Sequence, residues 1–161
     1  MQFSKNSRIW IYQSGCELTP AETSQIQQQL DSFTQDWTAH NHQLKATGIV
    51  HYNRFIILVV DESQADASGC SIDKSVRFLK ELEQKYNTNL FDRFDMAYRD
   101  GDRILSASRA KFENLIKEGK ITPDTIVFNN TIQTLSELEN KWEVPFKESW
   151  HAQLFGSLMP A

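Results

Sequence analysis

The chain has 161 residues, of which 40% are hydrophobic and 24% charged, with six glycines and four prolines. That is the composition of an ordinary globular domain, and it excludes collagen-like, linker-rich and disordered classes. A net charge of −4, a pI of about 5.6 and no block of like charge disfavour a broad phosphate-binding face, so no nucleic-acid partner is expected.

The opening stretch MQFSKNSRIW lacks the apolar h-region of a secretory signal. RIWIYQ (Arg8–Gln13) is short, aromatic and β-branched and predicts a strand. After Ser14-Gly15-Cys16, Thr19 is placed to cap a helix, Pro20 takes its first position and Glu22 completes a capping box. Ile26, Leu30, Phe33 and Trp37 recur at helical spacing, which predicts a helix running to about His40. KATGIVHY and RFIILVVD then read as a β-hairpin turning at Asn53-Arg54. The second strand is apolar on both faces, as a covered central strand is. Its FIILVV run is the longest apolar stretch and falls far short of the ~20 residues that span a bilayer, so no membrane insertion is expected.

A second helix is predicted to start between Ser68 and Ser71, with Ile72, Val76, Leu79, Leu82 and Tyr86 on its buried stripe. RFDMAYR and DRILSA form a hairpin turning at Asp100-Gly101. A third helix covers residues 108–118 and stops at Gly119, a left-handed cap. DTIVFN reads as a strand, Thr134-x-x-Glu137 opens a last helix ending near Trp142, and the aromatic tail is expected to pack on the body. The order is β-α-β-β-α-β followed by strand, helix, strand and helix. It points to a single α+β domain over residues 1–161, with a split β-α-β (ferredoxin-like) core and a C-terminal strand and helix extension. In that topology the first and third strands are adjacent and parallel, so the loops bearing Cys16 and Cys70 leave the sheet at one edge.

Cys70 is the first chemical candidate. At a helix N-terminus the macrodipole and free amides favour a thiolate, which would act as a nucleophile with His40 or His151 as its base. No spacing links either histidine to it, and the competing reading is a small hydrophobe packed at a helix entry. Pairing Cys16 with Cys70 lacks the Cys-x-x-Cys form of redox dithiols, and two cysteines do not make a disulfide framework. Both thiols are therefore expected reduced, in a cytoplasmic protein.

His40-x-His42, at the end of the first helix, supplies one ligand pair where structural zinc sites use two, so no metal site is assigned. Asp61, Glu62, Asp66 and Asp73 could hold Mg²⁺ through waters. They serve equally as solvated loop residues, with Asp73 stabilising the first helical turn. Ser68 and Ser71 flank Cys70 at the same edge. Trp10 and Trp37 fall on buried stripes, whereas Trp150-His151 fits a pocket wall, a lid or a dimer contact. The Walker A, dinucleotide-binding, nucleophile-elbow, zincin and RNA-binding patterns are all absent.

At FTQDWTAHNHQLKA, RFIILVVDES and ASGCSIDKSVRFLKELE the chain resembles a small family of uncharacterised bacterial proteins, some of which carry the label ABC transporter ATPase. The resemblance extends through VFNNTIQTLSEL to the late SWH, and its most specific part, SGCSID, falls on Ser68 to Asp73. It implies no established activity and transfers no catalytic residue. The ATPase label does not fit a chain without a phosphate-binding loop.

Three classes of function follow. The leading one is a binding module for a small molecule or protein, using the loop edge of Asp61, Glu62, Ser68, Cys70, Ser71 and Asp73. The second is a thiol-dependent enzyme with Cys70 as nucleophile. The third is a structural module, a homodimer built on Trp150 and the aromatic tail. No residue pattern names a cofactor.

Overall fold

Thr19, Pro20 and Glu22 start the first helix as their order predicts. The Glu22 N–H donates to Thr19 Oγ1 at 3.1 Å and the Thr19 N–H to Glu22 Oε1 at 2.9 Å, so two otherwise unpaired amides are satisfied. In the computed structural model, which describes residues 2–159, this helix is α1 (Pro20–Gln35). It follows strand β1 (Arg8–Gln13). It ends earlier than the periodicity predicts because residues 38–43 form a small antiparallel hairpin, β2 (Thr38–Ala39) and β3 (His42–Gln43). His40 and Asn41 make its turn at φ of 51° and 67°. His40 is thus an exposed turn residue and not part of a helix C-terminus.

Strands β4 (Lys45–His51) and β5 (Phe55–Asp61) complete a three-stranded sheet in the order β1-β5-β4. β5 is central and buried at all seven positions, as its two-sided apolar pattern requires. The loop before it is longer than the predicted two residues. Tyr52 and Asn53 take φ of 55° and 54°, and the Arg54 N–H closes the turn on His51 C=O. β1 pairs β5 antiparallel, Arg8 opposite Val60 and Gln13 opposite Phe55. The ferredoxin-like expectation needs a parallel pair there, and it does not hold. The two loops therefore leave opposite ends of the sheet, and Cys16 and Cys70 do not share an edge.

Both outer edges of this sheet are occupied. The Gln27 side chain donates to Gly48 C=O at 2.9 Å and accepts from Val50 N–H at 3.0 Å, taking the place of a further strand along β4. Beside β1, the Ile9 N–H donates to Gln133 C=O and the Leu135 N–H to Ser7 C=O. Gly48 allows α1 to lie close, since a Cβ there would meet Leu30 atoms at 3.1 and 3.3 Å.

Helix α2 (Gly69–Tyr86) is capped by the Ser68 hydroxyl, which accepts from the Ser71 N–H, and ends at Asn87 in the left-handed conformation. Its contacts with α1 run in reverse order. Gln29 and Gln25 meet Tyr86, Phe33 meets Phe78, and Trp37 meets Ser71. The two helices are antiparallel. Ile26 and Leu30 from α1, Leu79 and Leu82 from α2, and Ile56, Leu58 and Val60 from β5 form one buried cluster between helices and sheet.

The 1–161 span, read from the sequence as one domain, gathers its contacts into two units. The first runs as far as Phe91 and takes in Gln133–Ser136; the second is Asp92–Ile132 with the chain from Glu137 onward. The second unit contains β6 (Met96–Asp100), β7 (Arg103–Ala107), α3 (Arg109–Lys117) and β8 (Ile126–Phe128). α4 (Leu135–Asn140), β9 (Glu143–Pro145) and α5 (Trp150–Phe155) follow, α4 beginning in the first unit's segment. The β6–β7 turn is Gly101-Asp102, one residue later than predicted, with Gly101 at φ 62°. The sheet order is β7-β6-β8-β9, antiparallel throughout. Phe112 is fully buried at its centre, with the rings of Tyr98, Phe146 and Phe155 within 6.3 Å. The chain is thus an α+β protein. No helix among the described residues is long and apolar enough to cross a membrane.

Candidate functional site

The residues nominated around Cys70 divide into those with structural employment and those without. Asp61, at the end of β5, is 4% exposed. Its carboxylate accepts the Ser4 and Ser63 N–H groups, each at 3.1 Å, and faces the Lys45 ammonium at 3.4 Å. The Ser4 amide, with help from Ser63, holds this carboxyl well below the usual carboxylate range. Glu62 accepts the Ala67 N–H at 2.9 Å and closes the loop that leads to α2. Ser68 is the helix cap, and Ser71, buried, donates its hydroxyl to Ser68 C=O at 2.7 Å. Asp73 is exposed and lies beyond the first turn of α2, so the first-turn role read from its spacing does not apply. These groups build the entry of α2 and leave few donors or acceptors for a ligand.

Cys70 itself is an exposed thiol in the first turn of α2, not a packed hydrophobe. Among the described residues no side chain hydrogen-bonds its sulfur. Cys16 lies at the other end of that helix, where its Sγ is 3.6 Å from Thr88 Oγ1. An 18-residue helix spans about 27 Å, so the two thiols do not pair.

His151 belongs to the second unit and is 1% exposed. Ser149 spends its hydroxyl proton on Phe146 C=O at 3.0 Å, so it accepts both His151 N–H and Nδ1–H, at 3.1 and 2.9 Å. In that arrangement Nδ1 carries the ring proton that Ser149 accepts. The ring stacks on Trp150 at 3.8 Å, and burial pushes its pKa down to about 4. Trp150 is half-buried beside it, and Phe155 is buried in the core. Among the described residues no three His, Cys, Asp or Glu side chains converge as metal ligands.

A different feature of the first unit has the form of a site. Between α1 and α2 lies a groove of about 560 Å³, lined by Gln28, Gln29, Ser32, Phe33, Asp36, Trp37, Lys74 and Phe78. Phe33 and Phe78 stack at 4.4 Å and 10° across it, and Trp37 tilts against Phe33 at 5.2 Å. One end is tied by the Trp37 indole donating to Ser71 C=O at 2.9 Å, the other by Gln29 donating to Tyr86 Oη at 2.6 Å. The helices are thereby pinned on both sides of the opening.

Comparison with family models, curated proteins and solved structures finds no match for this chain.

The chemistry of the groove therefore rests on its own residues. Gln28, Ser32 and Asp36 recur every four residues along α1 and its C-terminal cap, parallel to Gln29, Phe33 and Trp37. On α2, Cys70, Lys74 and Phe78 follow the same spacing, so Cys70 stands one turn upstream of the groove wall. Phe33 and Trp37 fall on the apolar stripe predicted for the first helix, where they fit plain core positions, whereas Gln28, Ser32, Asp36, Lys74 and Phe78 carry no signal of their own in the sequence. Only the antiparallel pairing of the helices makes them two walls of one opening.

Proposed function

We propose that this chain is a binding module, and that its ligand is a small molecule held in the groove between α1 and α2. One observation carries the reading. The groove combines an aromatic wall of Phe33, Trp37 and Phe78 with five polar side chains in a volume of about 560 Å³, which falls in the range of about 300 to 1,000 Å³ that small-molecule sites occupy. Of the loop edge first read as the site, Cys70 stands one turn upstream of the groove wall and outside its lining, whereas Asp61 and Glu62 are engaged in holding that loop. In keeping with its two unpaired cysteines, the module is proposed to work in the cytoplasm.

The thiol-enzyme reading keeps one support, the exposed sulfur of Cys70, and needs a base that no bonded neighbour supplies. The dimer reading loses part of its surface to the core, since Phe155 is 1% exposed. A fragment screen by NMR on ¹⁵N-labelled protein tests the binding reading. Hits should move the amides of residues 28–37 and 74–78 together. A screen whose hits all bypass those residues would overturn it.

A further inference from the structure

The groove carries two charges that the protein does not use itself. Asp36 lines it at the C-terminal cap of α1, and Lys74 lines it from α2. Both are exposed, and among the described residues neither makes an ion pair, with the other or with anything else. The Asp36 end is also electronegative for a second reason. It sits where the α1 dipole and its last carbonyls are negative, and the last turn of α1 holds no basic residue to offset them. A carboxylate placed there is unfavourable for the helix alone and favourable for a bound cation. The stacked Phe33–Phe78 pair beside it offers its ring edges as apolar surface. Across the groove, Lys74 is the matching partner for an anion.

We infer that the ligand is a zwitterion, a free α-amino acid with an apolar or aromatic side chain. Its α-ammonium lies against Asp36 and the C-terminus of α1, its α-carboxylate against Lys74, and its side chain on Phe33 and Phe78. Asp36 and Lys74 face each other at the Trp37–Ser71 end of the groove, and Ser32 and Gln28 follow one and two turns further along α1 as hydrogen-bonding groups. The inference rests on the binding reading above and gives that site its ligand class.

The test uses L-phenylalanine as probe, with phenethylamine lacking the carboxylate and 3-phenylpropionate lacking the ammonium. Titration of the full chain, followed by the amides of residues 28–37 and 74–78, should give saturable L-phenylalanine binding stronger than that of either fragment. Asp36→Asn and Lys74→Met should each weaken L-phenylalanine by about tenfold, the loss expected for one charge-assisted contact. Phenethylamine should be insensitive to Lys74→Met, and 3-phenylpropionate to Asp36→Asn. If uncharged aromatic fragments move these amides and L-phenylalanine does not, the zwitterion is overturned and the groove stands. If L-phenylalanine binds equally to wild type and both variants, the charge clamp is overturned. If nothing moves these amides, the groove reading falls as well.

Discussion

The indole N–H of Trp37 donates to the backbone carbonyl of Ser71 at 2.9 Å, tying the residue just past the C-cap of α1 to the first turn of α2. Two residues 34 apart in sequence thus set the spacing of the groove walls, and the Phe33–Phe78 stack lies next along the same seam. Trp37→Phe keeps an aromatic ring but removes this bond and leaves a smaller group in a site that is 2% exposed. The expected cost is about 2 kcal/mol of unfolding free energy, combining a lost hydrogen bond with imperfect refilling. Urea denaturation followed by hydrogen exchange at the Ile56 and Leu79 amides checks it, and an unchanged midpoint would show that the bond does not hold the seam.

His151 makes stability depend on pH in a defined window. Its folded-state pKa, about 4, lies below the ordinary 6.5 because burial disfavours the charged ring. Between those values the unfolded chain binds the extra proton and the folded one does not, so stability falls as pH drops from about 6.5 to about 4 and then levels. The full effect is about 3 kcal/mol, and His151→Asn, which retains a donor for Ser149, should flatten it. Urea midpoints read from the Phe112 and Phe155 amides at several pH values decide the point. Asp61 acts lower on the scale. Its depressed pKa contributes stability that is present above about 4 and is lost as pH falls further.

Both thiols are exposed, so both should be alkylated in the folded protein without denaturant. In Cys16→Ser the single remaining thiol, Cys70, should react at a rate unaffected by sub-denaturing urea. Mild oxidation of the wild-type chain should yield no intramolecular disulfide, because bridging requires Cα atoms within about 7 Å and these residues stand at opposite ends of α2. Intact-mass spectrometry after oxidation would contradict the described topology if it showed a monomer lighter by two hydrogens.

Tyr52 and Asn53 hold left-handed backbone at φ of 55° and 54°, a conformation that costs a residue with a Cβ about 1 kcal/mol or more. Asn53→Gly should therefore stabilise the first unit by about 1 kcal/mol, since hairpin turns of this kind favour glycine at that position. Thermal unfolding gives the sign directly. A lower midpoint would mean that the Asn53 side chain holds the turn.

Much of this molecule is written in neighbouring residues. Thr19, Pro20 and Glu22 specify the start of α1, Ser68 that of α2 and Ser108 that of α3, because a cap needs only groups within a few residues of one another. The central place of β5 is equally legible, since a strand apolar on both faces must be covered on both. Strand direction was not legible. The pairing of Arg8 with Val60 depends on residues some fifty positions apart, and the same run of elements suits parallel and antiparallel partners. That one choice sent Cys16 and Cys70 to opposite ends of α2. It fell likewise to the tertiary structure to turn Asp36 and Lys74 from two surface charges into the facing rims of one groove, because the antiparallel packing of α1 on α2 alone brings their helical stripes together.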